Sequence, residues 1–106
     1  MSLKELFGET DRIKILEELI SNWDFFLSVD EIARMSDVSK KSVHIHINEL
    51  NKIGILIVDD GSKKFKLDSK DKRAIALALI ESDEYLRLMD EFEKEIKEKI
   101  KKNYYN

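Results

Sequence analysis

The sequence predicts a mainly α-helical domain with one small β-hairpin, and three observations lead to this prediction. Helix-capping residues stand in front of stretches whose apolar residues recur every three or four positions. Two of these helical stretches, in the middle of the chain, are separated by a turn of only two residues. A β-branched apolar run, a turn of Asp, Gly and Ser, and an alternating run then follow in the order of a β-hairpin.

The composition is that of one domain without thiol chemistry. The chain has 106 residues, 42% of them apolar, which is enough for a modest packed core. Because it has no cysteine, disulfides, thiolate metal sites and thiol redox sensing are excluded. The first residues are amphipathic rather than continuously apolar, and no later apolar run approaches the length of a membrane span. We therefore expect a cytoplasmic protein that does not associate with a membrane.

Two helices are predicted before residue 22. A short amphipathic helix is expected over residues 3 to 7, and a longer one from Thr10, which can cap it, to about Ser21. The apolar residues of the longer helix recur at helical spacing and are expected to face the core: Ile13, Leu16, Leu19 and Ile20. Its charged residues are expected mostly on the outside: Arg12, Lys14, Glu17 and Glu18.

Three aromatic residues come next, in a loop or short strand: Trp23, Phe25 and Phe26. Their large apolar area predicts that they close the core. The alternative is a platform on which nucleic-acid bases stack.

The stretch from Ser28 to Gly54 predicts a helix-turn-helix. Ser28 can cap the first helix, and Glu31, three residues later, can reach back to the amide of that cap. A turn at residues 37 and 38 leads to Ser39, which can cap a second helix that Gly54 ends. One row of the second helix is apolar and is expected to face the core: Val43, Ile47 and Leu50. The residues expected to point away from the core are Lys40, Lys41, His44, Ile45 and Asn48.

A β-hairpin is predicted directly after the second helix. Residues 55 to 58 favour a strand, residues 59 to 62 have the composition of a turn, and residues 63 to 67 alternate. The order helix, helix, helix, hairpin defines a winged helix-turn-helix. Its recognition helix is predicted at residues 40 to 52 and its wing at residues 58 to 66.

The remainder of the chain predicts a long helix. From about residue 70 to residue 103 an apolar stripe recurs every seven positions, and the domain is too small to cover it. We expect the same helix of a second chain to cover the stripe, with a dimer seam made by Leu79, Leu86, Met89, Phe92, Ile96 and Ile100. One bent helix folded back on its own domain is the alternative, and Ser82 could cap a new helix and so introduce a break. The predicted division is residues 1 to 68 for the winged helix-turn-helix domain and residues 69 to 106 for the dimerisation element.

Charge is unevenly distributed along the chain, whose net charge is −3. Counting Lys and Arg against Asp and Glu, residues 1 to 37 carry −5, residues 38 to 66 carry +3 and residues 67 to 106 carry −1. The net-positive segment therefore contains the second helix of the helix-turn-helix and the hairpin. Because charges more than about 8 to 10 Å apart are screened at physiological salt, the acidic remainder does not prevent this segment from binding phosphates.

Several motifs carry a family resemblance. In the middle of the chain they are Ser28-Val29-Asp30-Glu31-Ile32-Ala33, Val38-Ser39, the run from Ser42 to Leu50, and Ile53-Gly54-Ile55-Leu56. With these motifs the chain resembles archaeal winged helix-turn-helix transcriptional regulators of the ArsR-like superfamily. Phe7-Gly8 and the run from Asp11 to Leu16 are similar to the first helix of that family, and Phe65-Lys66-Leu67 to the end of its wing. The resemblance covers roughly residues 7 to 67 and implies a homodimer, formed through the terminal helices, on a partly palindromic DNA operator.

Candidate DNA-binding residues lie on the second helix and on the hairpin. A docked helix meets phosphates and base edges with its first turn, and its amino end favours an anion. Further along, asparagine can pair with adenine, histidine can donate to a base or phosphate, and isoleucine can contact a thymine methyl. The candidates are Lys40, Lys41, Ser42, His44, Ile45, Asn48, Ser62, Lys63 and Lys64. A solvated surface position is the alternative for each, whereas His46, beside the core-facing row, is expected to be a half-buried structural histidine.

No pattern indicates catalysis, a metal or a cofactor. The sequence has no glycine-rich phosphate loop, metalloprotease histidine pair or serine nucleophile elbow. His44 and His46 are two residues apart on a helix, so they point in different directions and cannot hold one ion together. We expect no enzyme activity, no metal and no cofactor.

Two functions remain open. The first is a dimeric, sequence-specific transcriptional regulator that binds double-stranded DNA, which the local positive charge favours. The second is a winged-helix protein-interaction module in a transcription, replication or segregation assembly, which the net negative charge and the acidic wing tip at Asp59 and Asp60 favour.

Overall fold

The computed structural model of the chain describes residues 2–81 and 93–100. In chain order its elements are α1 (Leu3–Phe7), α2 (Asp11–Ser21), α3 (Val29–Ser36), α4 (Lys40–Ile53), β1 (Leu56–Asp59), β2 (Lys64–Leu67) and α5 (Lys72–Glu81). Residues 93 to 100 are also helical. This order confirms the predicted mainly helical fold with one hairpin. None of the described helices combines the length and the apolar character needed to cross a membrane.

Helices α1 to α4 each begin at a hydroxyl-bearing N-cap. The side-chain oxygens of Ser2, Thr10, Ser28 and Ser39 each accept a hydrogen bond from the amide three residues further along. Such a bond satisfies one of the amides that a helix start leaves without an internal partner. Ser28 and Glu31 form the predicted reciprocal capping box. The predicted helix starts at Thr10, Ser28 and Ser39 are therefore confirmed.

The ends of α3 and α4 set the geometry of the helix-turn-helix. Asp37 adopts a left-handed conformation with φ of 56° and ends α3, and α4 begins at Lys40. Gly54 has φ of 87°, a conformation that glycine adopts without the steric cost of a Cβ, and its amide donates to the carbonyls of Leu50 and Asn51. The predicted turn and the predicted helix end are both confirmed.

The core lies where the helices meet the inner face of the hairpin. Val43, Ile47 and Leu50 are buried, as predicted from their spacing on α4. The largest fully buried side chains come from α1, α2, α3, α4 and β2: Leu3, Ile15, Leu19, Ile32, Ile47, Val43 and Leu67. Burying an aliphatic side chain of this size contributes about 1.5 to 3 kcal/mol, so this set positions α4 firmly on the domain.

The hairpin is an antiparallel pair with a third, very short strand beside it. Leu56 pairs with Leu67 and Asp59 with Lys64, which leaves residues 60 to 63 as the loop. The amide and carbonyl of Phe65 also bond those of Leu27, each at 2.8 Å. The hairpin is therefore attached to the chain segment that leads into α3.

Helix α5 packs one face on the rest of the domain and exposes another. Ala74 is fully buried, and Leu77 and Ile80 pack against the core. Ile75 and Leu79, on the predicted apolar stripe, are 38% and 40% exposed. The break predicted near Ser82 lies outside the described residues, and so do three residues of the predicted seam: Leu86, Met89 and Phe92. The division of the chain after residue 68 stays a prediction.

Two predictions about individual side chains are wrong. Glu17 was expected mostly outside α2, but it is buried because α1 covers that face, with Lys4 Nζ at 3.3 Å from its carboxylate. Phe25 was expected to help close the core but is 68% exposed, since the turn after α2 directs it outward. Trp23 does pack against the core, and Phe26 is half-buried beneath the Lys66 ammonium group, 4.7 Å from its ring centre.

Candidate nucleic-acid interface

The surface of α4 opposite its buried row is polar and accessible. Lys41, His44 and Asn48 are exposed, Ile45 is 49% exposed, and the side chain of Lys40 is 67% exposed. These are the five residues that the sequence predicted to point away from the core. The helix therefore presents two cations, two polar side chains and one apolar side chain to a partner.

The first turn of α4 is held from two neighbouring helices. The Ser42 hydroxyl donates to Asp11 Oδ2 at 2.8 Å, and its amide donates to Ser39 Oγ at 3.2 Å. Lys40 Nζ lies 3.2 Å from Asp30 Oδ1 on α3. Two of the candidate residues thus already have protein partners, although the exposed Lys40 pair is of a kind that is easily exchanged.

The loop of the hairpin brings its polar residues into a closed turn. Lys63 has φ of 53°, and its amide donates to the carbonyl of Asp59 at 2.7 Å. The Ser62 hydroxyl donates to Asp59 Oδ2 at 2.6 Å. One carboxylate of the acidic wing tip is therefore bonded within the loop, and Lys63 lies exposed at its end.

The lysines of β2 lie on the outer face of the hairpin and contact neighbouring residues. Lys64 Nζ is 3.8 Å from Glu31 Oε1, and Lys66 covers the ring of Phe26. Hydrogen bonds from the Ser28 amide and hydroxyl hold the pKa of Glu31 below its ordinary value, and Lys64 adds to this effect. Glu31 is therefore a stable anion beside the wing.

The start of α3 joins the recognition helix to the wing. Asp30 pairs with Lys40 of α4, and the adjacent Glu31 pairs with Lys64 of β2. Two lysines from the two candidate DNA-binding elements are therefore brought to one helix start, and each is partly neutralised there. Among the described residues, Lys41 and Lys63 make no ion pair.

Helices α2, α3 and α4 form a core in which α3 and α4 make a helix-turn-helix. A two-stranded hairpin follows them and is attached through Leu27. The chain has a winged-helix fold. A solved structure with this fold is the multiple antibiotic-resistance repressor (MarR) from Listeria monocytogenes 4b F2365. The two chains are 20% identical, with a TM-score of 0.52 over 86% of this chain and 69% of the repressor. No protein-family model matches the sequence, and no curated protein matches it either. The ArsR-like and archaeal parts of the resemblance stay predictions.

In this winged helix, no sequence pattern indicated the role of Arg12, on α2. Arg12 Nε donates to His46 Nδ1 at 3.1 Å, and the same guanidinium forms an ion pair with Glu49. Burial lowers the pKa of His46, Arg12 lowers it further, and Asp11 raises it. The prediction that His46 is half-buried and hydrogen-bonded is confirmed. The partner of Arg12 lies 34 residues away in sequence, so no local pattern could have revealed it.

Proposed function

We propose that this chain is a dimeric, sequence-specific regulator of transcription that binds double-stranded DNA. The recognition helix, residues 40 to 52, enters the major groove, and the wing, residues 58 to 66, lies along the backbone. The observation that carries this proposal is the accessible row on α4, which combines cations, polar groups and one apolar side chain on a helix anchored by its opposite face. A rigid helix with such a row has the features needed to contact both phosphates and base edges.

The residues of α4 have different proposed roles in binding DNA, according to the chemistry of their side chains. Lys40 and Lys41 neutralise phosphates, assisted by the positive end of the helix dipole, and Ser42 adds a polar contact at the same turn. His44 and Asn48 read base edges, since imidazole and carboxamide groups both donate and accept hydrogen bonds. Ile45 contacts a thymine methyl. Sequence discrimination then depends on His44, Asn48 and Ile45, and general affinity on the lysines.

The wing contributes contacts outside the major groove. Lys63 reaches the backbone from the end of the hairpin loop, with Ser62 beside it and Lys64 behind it. The hydrogen bond between Ser62 and Asp59 keeps one carboxylate occupied within the loop, which reduces its repulsion of phosphate. These contacts are expected to add affinity rather than sequence specificity.

Regulation of transcription is supported by the structural likeness. The solved relative is named as a repressor, and its fold extends over most of this chain. In a dimer, two recognition helices about 34 Å apart would enter successive major grooves of one operator. Such a role implies a cytoplasmic location, where the DNA lies.

A second function is favoured by the ion pairs of α3. Because Lys40 and Lys64 already contact Asp30 and Glu31, and the chain is acidic overall, the same surface could bind a protein instead of DNA. In that case the chain is a winged-helix interaction module of a transcription, replication or segregation assembly. DNA binding and protein binding differ in their response to salt and to the loss of lysines.

The deciding experiment is a titration of labelled duplex DNA of about 30 base pairs and mixed sequence at several salt concentrations. Affinity should fall steeply with salt, because each neutralised phosphate releases condensed counterions. The double substitution Lys40→Ala with Lys41→Ala should weaken binding to every duplex and make the logarithmic salt slope shallower by about 2.

The matched control is Lys70→Ala with Lys72→Ala, which removes the same charge from two exposed lysines outside the candidate interface. This variant should bind nearly as well as the parent. Absence of binding at low salt, or an equal loss in the control, would contradict the proposal and leave the protein-interaction module as the better function.

A further inference from the structure

Two adjacent residues of α2 contact the recognition helix along one side. Asp11 accepts a hydrogen bond from Ser42, and Arg12 contacts both His46 and Glu49. The three residues of α4 are spaced i, i+4 and i+7, so they form a single line along the helix. We call this line, Ser42, His46 and Glu49, the flank of α4. It runs between the buried row and the exposed row that is proposed to meet DNA, and its first residue, Ser42, is also one of the proposed DNA contacts.

The flank is placed where it controls rotation of the helix. The buried row sets how deeply α4 sits on the core, and the directional contacts of the flank add resistance to small rotations about the helix axis. A side chain tip lies about 5 to 6 Å from the axis, so a rotation of about 20° moves it by roughly 2 Å. A displacement of that size removes hydrogen bonds to base edges, which tolerate only a few tenths of an ångström.

The central contact of the flank depends on the protonation state of His46. Its Nδ1 accepts from Arg12 Nε, so the imidazole must be neutral and carry its proton on Nε2. A protonated imidazole has donors on both nitrogens and cannot accept this hydrogen bond. It would also place a second positive charge beside the guanidinium.

The charged groups around His46 come from α2 and from its own helix. Arg12 opposes protonation and Asp11 favours it, and Glu49 on α4 is engaged by Arg12. From α3 and β1, which also pack on α4, the described residues contribute no charged group that shifts it. Burial acts in the same direction as Arg12 and lowers the pKa of His46.

We propose that Arg12 is a positioning residue for the recognition helix, and that it holds the helix in its DNA-binding orientation only while His46 is neutral. Protonation of His46 releases one of the two contacts of Arg12 and loosens the flank. The inference rests on the proposed DNA binding for its consequence, but the contact itself does not. Sequence-specific binding should therefore weaken when acidification protonates His46, while general attraction to phosphates persists.

The contact can be tested without DNA. The chain has two histidines, so NMR of protein with ¹⁵N-labelled histidine resolves both side chains. His46 should carry its proton on Nε2 and have a pKa below its ordinary value. Arg12→Gln should raise that pKa, because it removes the positive charge beside the imidazole. A proton on Nδ1, or a pKa that does not change in this variant, would overturn the inference.

The positioning role needs two duplexes, one enriched from a random pool by the parent protein and one of mixed sequence. Arg12→Lys keeps the charge but loses the guanidinium that contacts His46 and Glu49 together. It should weaken binding to the enriched duplex about fivefold or more and leave the mixed duplex nearly unchanged. Arg34→Lys is the matched control, since within the described residues Arg34 is exposed and makes no ion pair or side-chain hydrogen bond.

The proton dependence has its own variant. In the parent, the ratio of affinities for the two duplexes should fall as the pH is lowered below the ordinary histidine value of about 6.5, because the pKa of His46 is lowered. In His46→Asn the fall should be much smaller, because asparagine can accept from Arg12 but does not titrate in this range. If the ratio falls equally in His46→Asn, or if Arg12→Lys binds the enriched duplex as the parent does, Arg12 is not a positioning residue. If the parent binds no DNA, the proposed function is wrong, and the NMR experiment alone then tests the contact between Arg12 and His46.

Discussion

The lysines of the candidate interface differ in the side chains that they contact. Lys40 lies 3.2 Å from Asp30, and Lys64 lies 3.8 Å from Glu31. Lys41 and Lys63 make no ion pair among the described residues. A phosphate must compete with a carboxylate for the first pair of lysines but not for the second. The acidic residues at the start of α3 are therefore expected to lower the affinity for DNA.

Replacing Asp30 tests this competition. Asp30→Asn removes the carboxylate beside Lys40 while keeping the size of the side chain, so Lys40 is released to a phosphate. We expect affinity for a mixed-sequence duplex to rise about threefold to tenfold at low salt and the increase to shrink as salt is added. Fluorescence anisotropy at several salt concentrations measures both effects.

The control for this prediction is Asp24→Asn, which makes the same change at an exposed aspartate in the loop after α2. An equal rise in both variants would show that only net charge matters. No rise in Asp30→Asn would mean that Lys40 does not contact phosphate.

At the level of single residues, the sequence predicts which side of a helix is buried better than it predicts which side chains contact each other across the fold. The exposure of Lys41, His44, Ile45 and Asn48 follows from the spacing of apolar residues on α4, a local property. The contact between Arg12 and His46 joins residues 34 positions apart, and periodicity carries no information about it. The exposure of Phe25 was missed for a similar reason, since apolar area favours burial but the direction of a turn decides it.

At the level of elements, helix starts and ends are the most predictable features of this chain. Ser28 with Glu31, Ser39 and Gly54 define their boundaries through hydrogen bonds to neighbouring residues, so their signals lie within a few positions. The bridge between Leu27 and Phe65 joins residues distant in sequence and was not predicted as a pairing. The burial of Glu17 likewise depends on how α1 and α5 pack against α2.

The junction of α1, α2 and α5 contains two glutamates that act on one another. Glu81 of α5 accepts a hydrogen bond from the Leu3 amide at 2.6 Å, and Glu17 accepts one from the Lys4 amide at 3.4 Å. Burial raises the pKa of Glu81, the Glu17 carboxyl raises it further, and the Leu3 amide and the amino-terminal charge lower it. Because the raised pKa means that the folded chain binds the proton more tightly than the unfolded chain, Glu81 loses favourable energy as pH rises through its folded value.

We therefore expect Glu81→Gln to stabilise the fold at neutral pH. Glutamine can still accept from the Leu3 amide, but it removes a negative charge that faces Glu17. The free energy of unfolding should rise by roughly 0.5 kcal/mol at pH 7, in line with partly exposed charge pairs, and the gain should vanish near pH 4. Urea denaturation at the two pH values measures the difference.

Glu18→Gln is the control for this junction, because it removes a carboxylate of α2 that does not belong to the pair of Glu17 and Glu81. The free energy of unfolding of this variant should differ from that of the parent by nearly the same small amount at both pH values. If Glu81→Gln destabilises the protein at pH 7, the carboxylate form of Glu81 is favourable in the fold, and folding lowers its pKa instead of raising it.

At the scale of the whole molecule, the C-terminal region presents more apolar surface than its own domain covers. Ala74 and Leu77 of α5 face the core, whereas Ile75 and Leu79 remain exposed beside Ile20 of α2 and Trp23 in the turn that follows it. Every residue from 93 to 100 is exposed, including Ile96 and Ile100. The periodicity of the sequence predicted this stripe, but a single chain's pattern cannot show which surface covers it. A second copy is the partner expected from the resemblance.

The last prediction concerns that second copy. A charge buried in a seam between apolar helices is costly, so Ile96→Glu should convert dimers to monomers at micromolar concentration, as measured by light scattering. Ile53→Glu makes the same change at an isoleucine of α4 whose exposure, 49%, is similar to the 41% of Ile96. Ile53 lies outside the predicted seam, so this variant should keep the mass of the parent. Loss of the dimer should also weaken binding to a palindromic duplex far more than to a half-site, because both recognition helices are then no longer joined. If Ile96→Glu keeps the mass of the parent, residues 93 to 100 do not form the seam.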